Sequence, residues 1–127
     1  MQPTREPRSL LKVVLVLLLA SFGCILSLVV VGDQICHSNI DQWAPYYPGA
    51  TVISSEYDFI RLRAIGTSTV ILFSPDEPET VRQFYRDLTL ELMRADKSRG
   101  LAGTSWTVNP NPDGEGSVII LYSECGT

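Results

Sequence analysis

Residues 13–31 read VVLVLLLASFGCILSLVVV, nineteen positions without a charge. As a helix rising about 1.5 Å per residue, the run is roughly 28 Å long, close to the hydrocarbon thickness of a bilayer. A secretory signal has a shorter apolar centre, about 7–15 residues, followed by a small-residue cleavage site. Here the second half, Ile25 to Val31, is as apolar as the first. The run is therefore expected to stay in the membrane as an uncleaved signal anchor.

Cys24 poses the alternative. A lipoprotein signal ends in Leu-Ala-Gly/Ala-Cys, and the cysteine carries the lipid. Gly23 fits the position before Cys24, but Phe22 is bulky and Ser21 stands where leucine is expected. A polar tether should follow the lipidated residue, whereas Ile-Leu-Ser-Leu-Val-Val-Val follows here. Cys24 then reads as a small apolar side chain within the helix. A lipid-anchored or secreted sensor or binding domain, processed at Cys24, is the competing reading.

The flanks set an orientation. Arg5, Arg8 and Lys12 precede the run, and the first basic residue after it is Arg61. The positive-inside rule places residues 1–12 in the cytoplasm and everything after the 13–31 span outside the cell membrane. From Gly32 onward there are seven basic against thirteen acidic residues, a net charge of −6. Nucleic-acid binding needs clustered cations to neutralise phosphates, so that class is set aside. About 90 residues remain beyond the span, enough for one small domain.

Residues 32–49 read as an extracytoplasmic stalk without an element of its own, containing two prolines and a Pro-Gly turn signal. Trp43, Tyr46 and Tyr47 suit either the membrane interface or the edge of the domain core. Residues 50–127 carry the signals of an α+β domain. Ala50 to Ser55 reads as a strand, and Asp58 to Ile65 alternates apolar and polar. Gly66-Thr67 is a turn signal, and Ser68 to Phe73 is a β-branched strand. Ser74-Pro-Asp-Glu-Pro-Glu79 supplies a cap, first-turn prolines and carboxylates for a helix start. Val81, Phe84, Tyr85, Leu88 and Leu92 then recur at helical spacing as a core face. Arg94, Lys97 and Arg99 suit the last turn, with Gly100 as the stop. Thr104 to Asn109 and Ser117 to Ser123 read as strands joined by the loop around NPNPDGEG. The expected order is β-β-β-α-β-β: an antiparallel sheet of about four to five strands with one helix on one face. That burial is thin, and a covalent staple would help.

Cys36 and Cys125 are the candidate staple. With the topology above, both lie where disulfides form. A bridge would close a loop of about 90 residues, worth about 4–5 kcal/mol in the chain-entropy model. Free thiols or pairing with another chain are the alternatives. His37 is the only histidine, and it adjoins Cys36, whereas a nucleophile–base pair needs side chains that face one another, as sequence neighbours seldom do. Asp76, Glu77 and Glu79 lack the spacing of a calcium loop, and Gly114 and Gly116 precede a strand rather than a phosphate-binding helix. No catalytic, cofactor-binding or metal residue is assigned, no cofactor is expected, and the chain is read as a non-enzyme.

Tyr47-Pro-Gly-Ala50, the segment Ser74-Pro-Asp-Glu-Pro-Glu-Thr-Val-Arg-Gln-Phe-Tyr-Arg-Asp-Leu88 and the later Trp106 resemble a group of small bacterial envelope proteins. These begin their domain with Tyr-Pro-Gly-Ala, cap a helix with Ser-Pro-Glu-Glu, continue with Phe-Tyr and Leu, and place Gly-Trp after the helix. The likeness spans about residues 45–123. Ser105, not glycine, precedes Trp106 here, so the exit from the helix departs from the pattern. The resemblance implies a membrane-anchored or lipoprotein-like protein without an assigned activity. The expected function is thus protein or ligand interaction by a small domain on a single membrane span, with the partner unspecified.

Overall fold

The long first helix, α1, spans Pro7–Trp43, and most of its described side chains are exposed. The computed structural model describes residues 7–57 and 66–126. Within α1 lies a stretch of mean hydropathy 3.0, none of it buried, long and apolar enough to cross a membrane. The helix does not stop where the apolar run stops. Residues 32–43, expected to form no element, continue it by about 18 Å. The reason is a second, narrower pattern: Cys36, Ile40, Trp43 and Ala44 fall at i, i+4, i+7 and i+8, and all but half-buried Ile40 are buried. Ala44 precedes Pro45, which disfavours helical backbone before it and ends α1.

Tyr47-Pro48-Gly49-Ala50 then reverses the chain. The Ala50 amide donates to the Tyr47 carbonyl at 3.0 Å, and Gly49 sits at φ 79°. Proline first and left-handed glycine second make this a type II turn. It delivers the chain into four strands: β1 (Thr51–Tyr57), β2 (Gly66–Ser74), β3 (Ala102–Pro110) and β4 (Ser117–Cys125). The second helix, α2 (Pro78–Arg94), lies between β2 and β3. The α+β class is as expected, and the order is β-β-α-β-β over the described residues. The strand expected at Asp58 to Ile65 lies outside them. Gly66 and Thr67 belong to β2, paired with Cys125 and Glu124, and are not a turn.

The sheet order is β1-β2-β4-β3, antiparallel throughout. The C-terminal strand β4, the most apolar, therefore sits in the interior between β2 and β3. Edge strand β1 carries a bulge between Val52 and Ser54, a feature that discourages pairing with other chains. Val70 and Leu72 of β2, Val108 of β3, and Ile119 and Leu121 of β4 line one face with Val81 and Tyr85 of α2. In α2, Val81, Tyr85 and Leu92 are buried, while Phe84 and Leu88 are half-buried at the margins of the stripe. The single covering helix expected from sequence is joined by a second, because the last turns of α1 pack on the same end of the sheet.

The ends of α2 also differ from expectation. Glu77 is the N-cap and makes no side-chain cap, with Pro78 beginning the helix. Ser74 closes β2, and its hydroxyl accepts the Asp76 amide at 3.1 Å. At the other end Asp96, at φ 52°, supplies the left-handed residue that Gly100 was expected to provide. The Lys97 amide reaches the Leu92 carbonyl and the Asp96 amide the Met93 carbonyl, a Schellman pair that stops the helix at Arg94. Lys97 and Arg99 thus lie in the turn beyond it.

Candidate functional site

Where α1 meets the sheet, Cys36 is bonded to Cys125, with Cα atoms 6.0 Å apart, an ordinary separation for such a bridge. Both residues are buried, together with Ala102 and flanked by Ile40. Helical period places Cys36 on the sheet-facing side of α1, and strand alternation places Cys125 on the α1-facing side of β4. The bond therefore joins the element next to the apolar run to the interior of the sheet.

A shallow crevice borders this bridge, lined by Asp33, His37, Thr67, Ser68 and Ser123. Its volume is about 10 Å³, room for no more than about one water molecule. His37 Nε2 lies 3.6 Å from Asp33 Oδ1, one helical turn away, and the Ser68 and Ser123 hydroxyls share a hydrogen bond of 2.6 Å. With Cys36 oxidised and packed inside, the Cys36–His37 neighbours offer no thiolate to activate. Among the described residues no group of three or more metal-ligating side chains is assembled.

The other polar candidates are satisfied locally. Asp76 accepts the Tyr47 hydroxyl at 2.7 Å, and Glu79 pairs with Arg82 at 3.2 Å. That hydrogen bond to a carboxylate holds the Tyr47 phenol above its ordinary pKa. Arg82 also donates to the Val108 carbonyl, clamping α2 to β3. Strand β3 runs on through Asn109 and Pro110, which the sequence placed in the loop. In the remaining 111–116 loop, Asn111 bonds the Glu115 carbonyl and the Asp113 amide, so the loop holds itself together. Arg61 and Arg63 lie outside the described residues.

The residues that carry the resemblance come together as one aromatic cluster. Tyr47 meets Phe84 edge-on at 5.1 Å, Phe84 meets Tyr85 at 5.1 Å, and Tyr85 stacks on Trp106 at 5.4 Å. The Tyr85 hydroxyl, wholly buried, donates to the Pro45 carbonyl at 3.0 Å, and burial pushes its phenol well above the ordinary pKa. These side chains belong to the core that α2 forms with the sheet. Of the interface-or-core aromatics, Trp43 is buried beneath the Arg99 guanidinium, 4.2 Å from its ring centre, and Tyr46 is exposed.

A feature missed by sequence reasoning is the opposite face of the sheet. Ile71 and Phe73 of β2 stand beside Ile120 and Val118 of β4, all half-buried, with Tyr122 farther along. No helix covers this face among the described residues. The signal was present: Val70 to Phe73 and Val118 to Tyr122 are continuous rather than alternating, the pattern of strands apolar on both sides. No protein-family model, curated protein or solved structure matches the chain.

Proposed function

We propose that this is a single-pass membrane protein whose small α+β domain stands outside the cytoplasm and serves protein or ligand interaction, without catalysis. The observation that carries the reading is the Cys36–Cys125 bond, which begins five residues beyond the apolar run. A disulfide at that place suits an oxidising compartment, and the cations of residues 1–12 suit the opposite side. The length of the apolar run and the seven apolar or small residues that follow Cys24 support an anchor left uncleaved, over a lipid-anchored or secreted domain processed there. The resemblance to small bacterial envelope proteins agrees with this placement.

The chain offers a direct test of orientation because it has two lysines, Lys12 before the span and Lys97 in the domain. A membrane-impermeant amine reagent applied to sealed spheroplasts should modify Lys97 and spare Lys12 until the membrane is opened. Modification of Lys12 with Lys97 protected would overturn the orientation.

A further inference from the structure

The direction of the elements fixes which end of the domain lies nearest the apolar run. Cys36 meets Cys125 and Ala102, so the start of β3 and the end of β4 are at that end, as is Gly66 at the start of β2. The chain runs away from it along β2 and returns along α2, bringing the 95–101 turn back beside α1. That turn is firmly held. The Ala102 amide bonds the Arg99 carbonyl at 3.0 Å, the Gly126 amide bonds the Leu101 carbonyl at 2.9 Å, and the Gly100 amide bonds the Ser98 hydroxyl at 3.0 Å. Gly100 (φ 56°) comes so close to α1 that an added Cβ would stand 2.7 Å from Asn39 Nδ2. Yet Leu101, between these fixed points, is 66% exposed.

A rigidly presented leucine at this height has one obvious neighbour. Cys36 is about 8 Å beyond Val31 along the helix, and the headgroup layer of a leaflet is about 5–8 Å thick. With α1 upright in the bilayer, Leu101, next to Ala102, stands at the upper margin of that layer, and Ile35, exposed on α1, stands about 6 Å beyond Val31. Arg94 precedes the turn and Lys97 lies within it, both exposed and outside any ion pair among the described residues, while Arg99 is committed to Trp43. Asp33, Asp96 and Glu124 share this end, so the cations matter for keeping an acidic domain seated.

Resting on the membrane-anchored reading above, we propose that the 95–101 turn is a second membrane contact. Leu101 inserts at the interface, and Arg94 and Lys97 bind anionic lipid headgroups of the same bilayer. The domain is thereby laid onto the surface from which it emerges, leaving the open sheet face and the 111–116 loop for other partners.

Tryptophan quenching by lipids brominated on the acyl chain tests this in the full-length protein, reconstituted in vesicles of equal parts phosphatidylcholine and phosphatidylglycerol or of phosphatidylcholine alone. Leu101→Trp should be quenched in the anionic vesicles and much less in phosphatidylcholine. Lys97→Ala on that background should weaken the seated state about fivefold, only where anionic lipid is present. Leu28→Trp, within the apolar run, separates the two levels of the argument. If Leu28→Trp is quenched and Leu101→Trp is not, or Leu101→Trp is quenched equally in both lipids, the headgroup contact is overturned and the anchor stands. If Leu28→Trp itself escapes quenching, the anchor reading falls and the contact with it.

Discussion

Cys36 and Cys125, separated by 89 positions in the chain, are bonded between the end of a membrane-grade helix and the interior strand of the sheet. Any motion of α1 is thereby passed to β4 and, through the β4 ladders, to β2 and β3 on either side. The apolar packing around the bond is small, Ala102 and half-buried Ile40 against the two cysteines.

Replacing both cysteines by serine removes the loop constraint from the unfolded chain. The expected loss is about 4–5 kcal/mol in the chain-entropy model. Denaturant unfolding of the full chain in detergent, followed by Trp43 and Trp106 fluorescence, measures it. A midpoint unchanged from the oxidised protein would show that the bond does not hold the domain together.

Tyr85 makes stability depend on pH at the alkaline end. Its folded-state pKa is raised above the ordinary value of 10.0, because a buried phenolate would lose hydration. The stabilisation is whole below about pH 10 and is lost as pH rises from there toward the folded value, since the unfolded chain sheds its proton first. Tyr85→Phe should flatten most of that alkaline decline, leaving a smaller slope from Tyr47. At neutral pH it should cost about 1 kcal/mol for the hydrogen bond to Pro45. Urea midpoints collected from about pH 8 upward decide the matter.

Gly100 links the turn after α2 to α1. Gly100→Ala places a side chain on left-handed backbone and against Asn39, and should cost about 1–2 kcal/mol. Adding Asn39→Ala should recover the steric part and leave the backbone part. Equal stability of wild type and Gly100→Ala by thermal unfolding would mean that the turn and α1 separate freely.

How much of this was legible depends on whether the signal is local. The stripe of α2 is readable because a 3.6-residue period repeats for four turns between a proline start and a basic end. The strands are readable from β-branched runs. The interior position of β4 is not, because strand order is set by long-range pairing that no local period encodes. The extension of α1 was hidden for a different reason. His37, Ser38, Asn39, Asp41 and Gln42 include weak helix formers, and they obscured the Cys36, Ile40, Trp43 and Ala44 stripe that tertiary packing rewards. Asp96 shows the same override at the other helix, where a residue seldom left-handed ends α2 four positions before the glycine suited to it. The bridge partners could be paired by elimination only after Cys24 had been placed in the apolar run.

The most direct test of the anchored, outward-facing, cross-linked chain is mass spectrometry of protein extracted from membranes, alkylated before and after reduction. The account predicts a species that retains residues 1–12, bears no lipid on Cys24, and exposes Cys36 and Cys125 to alkylation only after reduction. A mature chain beginning at Cys24 with an added lipid, a chain beginning after the apolar run, or alkylation of Cys36 and Cys125 without reductant would contradict it.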